Sequence, residues 1–534
     1  MQGILLLLIS INWGRSLFFI FAWTIEMEKQ RYLIQLIDVI QVLRKSEFDL
    51  ARKHLQAYES NHTVNRRKMF QLYKYIKINK IRDYDKLKKR ISPDSNDDSF
   101  NKLIRRTTDR IQESLIVDVN IRRPGNYNQV FRTKFFIQKQ LIQSRLLMDR
   151  GLREYPQKMF LSIIRQAKKY ELFDELLDAY YLLQTLYIRW AKSKEAEDLN
   201  VKIDFYERVR TLLNKTKRVQ RNFEVAAGGK SNVNDLNARQ LEVLYEYYEE
   251  TGSVNVISIY YLLSIAYYKA TKDVIMIRET SQKLLDIVLE SSVLYSRARL
   301  FYLHSELAYY NRLMFDFEGA LIMLKEAKTQ SKGRSVMSFN LGLSDIIINV
   351  FKLKYQLALN ACANLLKEYE KGFQYERSVT IYYKSISFFG LGQYEEAQSI
   401  LSQKNEIEKD KEGWNVWIRI MRLLCSIELL KLNLIDYDME SFRKYIERTS
   451  KQYEVRERDK LILKVLLELD KQGYNFNQTA SSVAEELAQL KSTDKKYAWN
   501  PDSPELILFH DWFNAKLLKK EYQPNYDIYR EAMN

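Results

Sequence analysis

The sequence predicts an all-α protein built as an α-solenoid of stacked helical hairpins. Its 534 residues include 15 glycines and 6 prolines, where average usage would give roughly 37 and 27. Sheets with tight turns and phosphate-binding loops need glycine, so this scarcity favours long helices with short connections. A hydrophobic content of 46%, with 29% charged residues, indicates a folded chain with a substantial core.

The clearest hairpin runs from Phe301 to Lys328. Two helical stretches are joined there by a short turn, and small or apolar residues recur at the spacing of a helix core. Such a hairpin cannot bury its apolar face alone and must stack on a neighbouring hairpin. One alanine position recurs in the two following units, with separations of 38 and 39 residues. The core positions are Leu307, Ala308, Phe317, Ala320, Leu324 and Ala327, and the recurring alanines are Ala320, Ala358 and Ala397.

The segment Gly392–Ala397 (GQYEEA) resembles the G-x-Y-x-x-A signature of the tetratricopeptide repeat, which lies between the two helices of a unit. Phe317–Ala320 and Tyr355–Ala358 are similar to the same place in two other units. The period is 38–39 residues where the family has about 34, and Ser385 stands where a glycine is expected. The resemblance implies a divergent, tetratricopeptide-like array over 240–450 with a protein-binding face, and it implies no chemistry.

Composition and patterning divide the chain into five predicted segments. The small, polar, glycine-containing stretch between residues 226 and 238 is the clearest break, and we interpret it as a linker. The last helical pattern would cover the open end of a solenoid through Leu506, Phe509, Trp512 and Phe513. The segments are an apolar N-terminal extension (1–26), a basic helical N-terminal domain (27–225), the linker (226–238), the repeat array (239–450) and a helical C-terminal cap (451–534).

Residues 4–23 are apolar and have about the length of a membrane span. Asn12 and Arg15 interrupt this stretch, and a central arginine costs at least about 2.5 kcal/mol within a membrane. Met27 then begins an ordinary amphipathic helix. Three interpretations stay open: residues 1–26 are a mis-called start upstream of Met27, a membrane anchor or a cleaved signal.

The two cysteines, Cys362 and Cys425, both lie in apolar helical patterns. A disulfide framework would need a larger set of cysteines, so this usage favours a reducing compartment. We therefore expect a cytoplasmic protein, with attachment to a membrane through residues 4–23 as the alternative.

The net charge of +17 is unevenly distributed along the chain. Residues 1–230 contain 45 basic and 26 acidic side chains, whereas residues 231–534 contain 40 and 42. The excess is concentrated in residues 51–150, with 24 basic and 10 acidic side chains. A localised positive field of this kind attracts phosphates or acidic partners.

Residues 64–123 have the outline of a winged helix-turn-helix, with three helical stretches followed by a β-like stretch and a loop. The third helix carries Lys102, Arg105, Arg106 and Arg110, which are mostly three or four residues apart and lie largely on one face. Such a face suits contact with the phosphates of a nucleic acid. The alternative is a solvated basic face on a solenoid helix.

The sequence contains no pattern that indicates catalysis. The histidines, His54, His62, His304 and His510, are too few and too scattered for a metal site of the usual spacing. Gly229–Ser231 (GKS) lacks the earlier glycine and the preceding strand of a phosphate-binding loop. We therefore predict a non-enzymatic protein without a metal or cofactor.

The leading functional hypothesis is a helical-repeat scaffold that binds an unidentified protein partner. Adjacent tyrosine pairs recur in the predicted first helices of the array, and one ring of each pair would anchor the partner. The alternative is that both rings pack within the array. Two other hypotheses are a nucleic-acid-binding or regulatory protein that uses the basic N-terminal region, and a membrane-tethered scaffold. The candidate anchors are Tyr260, Tyr267, Tyr309 and Tyr382.

Overall fold

The regular secondary structure in the described part of the chain is helical, and no strand occurs there. This confirms the predicted all-α fold class. The chain divides into two compact units, Met1–Arg132 and Thr133–Asn534. The computed structural model describes residues 30–41, 43, 45–57, 64–117, 128–228, 238–331, 335–368, 374–403, 407, 410, 413–450, 455–494 and 496–532.

The first unit is a small helical bundle. Helix α5 packs against α2 and α3, and α3 also packs against α4. Its core takes fully buried side chains from successive helices, including Leu36, Leu72, Leu87 and Ile104. Burial of these apolar side chains holds the bundle together. The helices are α1 (30–41), α2 (Lys45–Ala57), α3 (Val64–Lys77), α4 (Tyr84–Ile91) and α5 (Asp97–Val117).

The three helices predicted for a winged helix-turn-helix are present as α3, α4 and α5. The predicted β-like stretch at 115–121 is helical as far as Val117, because α5 continues to that residue. Residues 118–127, which include the rest of that stretch and the predicted loop, lie outside the described residues.

The second unit is a series of stacked helical hairpins. Each helix from α7 to α20 packs on the next, and α13, α15, α17 and α19 also pack on one another in order. Contact between alternate helices places the first helices of successive hairpins in one layer, as in an α-solenoid. The helices are α6 (Gln129–Asp149), α7 (Glu154–Lys169), α8 (Phe173–Arg189), α9 (Ser193–Gly228), α10 (Ala238–Thr251), α11 (Val254–Thr271), α12 (Val274–Glu290), α13 (Arg297–Leu313), α14 (Phe317–Gln330), α15 (Ser335–Phe351), α16 (Tyr355–Glu368), α17 (Gln374–Gly390), α18 (Tyr394–Ser402), α19 (Trp414–Glu428) and α20 (Leu432–Thr449).

The turn between the two helices of a hairpin has one recurring geometry. Its middle residue is left-handed, and the next residue donates its N–H to a carbonyl five residues earlier, as Asp316 does to Asn311 at 2.9 Å. That bond satisfies a carbonyl that the helix end leaves without a partner. In the four hairpins from α13 to α20, the left-handed residues and their φ angles are Phe315 (58°), Leu353 (58°), Gly392 (74°) and Leu430 (53°).

The recurring alanines lie five residues after these left-handed positions. Ala320, Ala358 and Ala397 are each fully buried, and Ile435 takes the same place in the next hairpin with 1% exposure. The separation from Ala397 to Ile435 is 38 residues, so the predicted period continues into the α19–α20 hairpin. A small side chain at this position lets the two helices approach closely, as in the cluster that Ala320 forms with Ala308.

The predicted linker at 226–238 does not separate the two compact units. Helix α9 continues to Gly228 and α10 begins at Ala238, while residues 229–237 lie outside the described residues. Because α9 packs on both α10 and α11, the second unit continues past this stretch. The division falls instead between Arg132 and Thr133.

The C-terminal part begins with α21, which packs on α20, α22 and α23. In the last predicted helical pattern, which includes Leu506, the helix begins at Phe509. The described residues 496–532 form a largely non-helical segment around this helix, which we call the C-terminal strap. The helices are α21 (Glu457–Lys471), α22 (Phe476–Ser482), α23 (Ala484–Lys491), α24 (Phe509–Leu518) and α25 (Asp527–Glu531).

Within the described residues, no helix is both long and apolar enough to cross a membrane. The apolar stretch at 4–23 and the remainder of residues 1–26 lie outside them. Cys362 and Cys425 are both buried as free thiols. Burial raises the pKa of Cys362 to about 12 and also raises that of Cys425.

Replacing Leu430 with glycine is expected to raise the free energy of unfolding by about 1 kcal/mol. Leu430 has a positive φ and a side chain that is 77% exposed, so glycine relieves backbone strain without removing a buried contact. Urea unfolding followed by circular dichroism measures the change.

Leu432→Gly is the matched control, because Leu432 is also exposed but begins α20 in ordinary helical geometry. Glycine there is expected to leave stability unchanged or to lower it by up to about 1 kcal/mol. A Leu430→Gly protein that is no more stable than wild type would contradict the strain argument.

Candidate protein-binding surface

Four tyrosines form one face of α11. Tyr260, Tyr261, Tyr267 and Tyr268 share this face because they are spaced i, i+1, i+7 and i+8, and all four are half-buried. Ser264 lies among them at i+4 and is 2% exposed. The four tyrosine rings therefore form most of the accessible surface on this face of α11, and a partner would contact them there.

The two members of each tyrosine pair pack on opposite sides of α11. Tyr260 and Tyr267 pack with a cluster that contains Leu244 of α10. Tyr261 and Tyr268 pack with a cluster that contains residues of α13. Both members of each pair pack against other residues, and both remain partly exposed. Part of each ring is therefore accessible to a partner.

Helix α10 extends this aromatic surface with acidic side chains. Glu242, Tyr245, Glu246 and Glu249 are spaced i, i+3, i+4 and i+7, and all are exposed. The Tyr245 ring lies 5.3 Å from that of Tyr260, which links the two helices. The carboxylates repel one another at this spacing, and the carboxylate of Glu249, in the last helical turn, interacts unfavourably with the helix dipole.

Helix α13 continues the surface on the other side of α11. Tyr302 is 37% exposed, and the Nζ of Lys269 lies 5.7 Å from its ring centroid. Burial lowers the pKa of Lys269, but its bond to Glu306 and the neighbouring tyrosines outweigh burial, so the pKa is raised and the amine stays charged. We call the set that these helices present the tyrosine surface: Tyr245, Tyr248, Tyr260, Tyr261, Tyr267, Tyr268 and Tyr302.

The C-terminal strap occupies the next part of the same layer. Arg312 of α13 donates to a carboxylate oxygen of Asp502 at 2.6 Å and to the carbonyl of Pro501 at 3.0 Å. Tyr309 donates its hydroxyl to the same Asp502 carboxylate. Arg312 is 4% exposed, so the strap removes its guanidinium from solvent and pairs it. The predicted anchor Tyr309 therefore binds a segment of its own chain.

Tyr382 is not an exposed anchor, contrary to its predicted role. It is 1% exposed, and its hydroxyl donates to the carbonyl of Pro504 in the strap at 2.7 Å. Its ring also packs edge-on against Trp414. The strap and α19 thus bury a tyrosine that its position in the repeat would otherwise leave at the surface.

An aromatic cluster joins the strap to the hairpin turns. Trp499 and Tyr526 of the strap stack on Phe315, the left-handed residue of the α13–α14 turn, with ring centroids 5.9 and 5.3 Å away. Both rings also contact Phe351 at the end of α15. Aromatic pairs of this kind contribute beyond their buried area, by about 0.5–1.5 kcal/mol each.

A buried ion pair anchors the middle of the strap. Arg458 of α21 donates two hydrogen bonds to Glu505, at 2.6 and 2.8 Å, and Glu505 is fully buried. Arg458 also donates to the carbonyls of Leu490 and Tyr497. The Arg458 guanidinium also lies 3.3 Å from Nδ1 of His510, another residue of the strap. This pair therefore holds the strap against α21, and removal of one partner would leave a buried charge uncompensated.

The predicted phosphate-binding residues of α5 are accessible but lie among carboxylates. Arg105 and Arg106 are exposed, and the Arg105 guanidinium lies over the ring of Tyr32 at 5.3 Å. Lys102 pairs with Asp98 at 3.5 Å, and Arg110 pairs with Glu113 at 2.6 Å. The carboxylates of α5 therefore neutralise part of the positive charge on the basic face of the same helix.

Within the described residues, no group of three or more histidine, cysteine, aspartate or glutamate side chains could hold a metal ion. His304 is 6% exposed within α13, and burial lowers its pKa. His510 is buried in the strap. These two histidines lie within the packing of the second unit, and the structure does not bring them together as a site.

Sequence reasoning missed the strap contacts, since Asp502 and Arg312 are 190 residues apart and no local pattern connects them. It also missed a basic cavity between α9 and α10. No protein-family model matches the chain, and a comparison with curated proteins finds no significant match. The arrangement of side chains is thus the basis for any functional conclusion.

His510 should make the stability of the second unit depend on pH. Burial, with the nearby charges of Arg458 and Lys491, lowers the pKa of His510 to about 3. An unfolded histidine titrates near 6.5, so the stability that a neutral His510 contributes is lost as pH falls from about 6.5 toward 3. Between pH 7 and pH 5 this loss is about 2 kcal/mol.

The His510→Gln protein is expected to lose about 2 kcal/mol less than wild type over this interval, measured by urea unfolding at both pH values. Burial raises the pKa of Asp459 to about 6 and acts in the opposite direction, but this residue is common to both proteins. Equal pH dependence in the two proteins would show that His510 is not held neutral.

Proposed function

We propose that the protein is a non-enzymatic helical-repeat scaffold that binds another protein across the first helices of its hairpins. One observation carries the proposal: Tyr309, Arg312 and Tyr382 already hold an irregular polypeptide, the strap, on this layer. They do so through bonds to backbone carbonyls and to one carboxylate. Side chains of the same kinds can hold a partner in the same way.

The tyrosine surface lies on α11 and α13, the latter of which also binds the strap, and on the adjoining helix α10, and it supplies the contact area. A tyrosine offers a large rigid ring and a polar hydroxyl at low cost in side-chain entropy, which is why such residues dominate protein interfaces. The partly exposed rings on α10 and α11 are connected through the contacts between Tyr245, Tyr260 and Tyr261. Lys269 of α11 lies beside the ring of Tyr302 and so links α13 to the same surface. We take this set as the docking site.

The carboxylates on α10 favour a partner segment that carries lysine or arginine. Glu242, Glu246 and Glu249 flank Tyr245, and no ion pair in the described part of the chain compensates them. A cation placed there would meet these carboxylates and the faces of tyrosine rings, which attract positive charge.

Tyr245→Ala is expected to weaken partner binding about tenfold, as loss of an exposed aromatic anchor does in protein interfaces. The partner is first identified by chemical cross-linking to the purified full chain, and its affinity is then measured by calorimetry. Tyr245 is 40% exposed, so circular dichroism should show an unchanged fold.

The matched control is Tyr437→Ala, which removes a tyrosine that is 65% exposed on α20, away from the tyrosine surface. It is expected to bind the partner as wild type does. Equal affinity of the two variants would rule out the tyrosine surface as the docking site.

A second candidate, nucleic-acid binding by the first unit, has one supporting observation. Residues 64–117 contain 15 basic and 7 acidic side chains. Several of the basic side chains are exposed and form no ion pair in the described part of the chain, among them Lys89 and Arg106. Such side chains are available for phosphate contacts, each of which contributes about 0.9 to the salt dependence of binding.

If this candidate function holds, Lys89→Glu combined with Arg106→Glu should lower the slope of log affinity against log salt by about 2. Fluorescence anisotropy with a labelled duplex DNA and a labelled RNA measures the slope. The control combines Lys283→Glu with Lys325→Glu, two exposed positions of the second unit. Equal slopes in both double variants would reject a phosphate-binding role for the first unit.

A further inference from the structure

A cavity of about 370 Å³ lies between α9 and α10 in the second unit. This volume is at the small end of the range of ligand cavities, roughly 300–1,000 Å³, and suits a compact small molecule. It is separate from the tyrosine surface, because Glu242, Tyr245 and Glu246 lie on another side of α10. The cavity is lined by Lys215, Arg218, Val219, Arg239, Gln240, Val243, Leu244 and Tyr247.

The lining has three cations and no carboxylate. Arg218 and Arg239 are exposed and come from different helices, and neither forms an ion pair within the described ranges. The nearby carboxylate of Glu250 bonds instead to Arg208, which chiefly lowers its pKa, with a smaller contribution from Lys215. Among the residues that the structure describes, the positive field at the cavity is therefore left largely uncompensated.

The wall of the cavity is apolar and aromatic. Leu244 is 1% exposed, and Val219 and Tyr247 pack on the same apolar cluster. The Nζ of Lys215 lies 6.0 Å from the centroid of the Tyr247 ring, which places a cation beside an aromatic face. A ligand that fits this lining has a flat apolar part and a strongly anionic group.

We infer that this cavity binds a small phosphate monoester carried on a planar aromatic body, the chemistry of a nucleoside monophosphate. Two guanidinium groups can each bind phosphate oxygens through paired hydrogen bonds, and a lysine adds a point charge. A monocarboxylate would leave much of this charge unused. The Tyr247 ring and the valine side chains would hold the aromatic body.

The test is calorimetric titration of the full chain with adenosine 5′-monophosphate, adenosine and inorganic phosphate. We expect saturable binding of adenosine monophosphate with a Kd below about 1 mM, and binding of adenosine at least about tenfold weaker. Arg218→Ala combined with Arg239→Ala should weaken the monophosphate at least about tenfold. Tyr247→Leu should weaken the monophosphate about tenfold and leave inorganic phosphate unchanged, since stacking acts on the base alone.

The matched control is Lys217→Ala combined with Arg221→Ala, which removes two exposed cations of α9 that do not line the cavity. It should change the affinity by less than about twofold. Circular dichroism checks that every variant is folded. The inference is overturned if adenosine monophosphate does not saturate, if adenosine binds as tightly, or if both double variants weaken binding equally.

Discussion

The second unit depends on close packing at one buried position that recurs in successive hairpins and is an alanine in three of them. Ala320, Ala358 and Ala397 are fully buried where the second helix of a hairpin meets its neighbours. The left-handed turn five residues earlier fixes the direction in which the second helix begins. Because both features recur together, each hairpin has the same orientation relative to the next, and the first helices form a continuous layer.

This layer is used in two different ways along its length. Over α13, α15 and α17 the chain covers it with its own strap, through Arg312, Tyr382 and the aromatic cluster around Phe315. On α11, and on the adjoining helix α10, the rings stay partly exposed beside carboxylates. The contrast arises because the strap carries an aspartate that matches Arg312, whereas α10 presents acidic groups that would repel such a segment.

The sequence is sufficient to predict the periodic features of the fold. The alanine spacing predicts the hairpins, and the scarcity of glycine and proline predicts long helices with short turns. Tyr309 and Tyr382 look equivalent in the sequence, yet one is 37% exposed and the other 1%, because a segment more than 100 residues away covers the second. The cavity between α9 and α10 could likewise not be predicted from the sequence, since Lys215 and Arg239 belong to no common sequence pattern. Contacts between distant segments leave no local signature in a single sequence.

The strap also changes how the array can be assembled. A simple solenoid needs contacts between neighbours alone, so it can grow hairpin by hairpin as the chain leaves the ribosome. Here Phe315, Arg312 and Tyr382 obtain their partners from residues 499–526, which are synthesised more than 100 residues later. In the hairpins from α13 to α17, these polar and aromatic groups therefore have no partner until the strap has been translated. Completion of the fold is thus a late event, and the nascent array presents to the cell a surface that the finished protein hides.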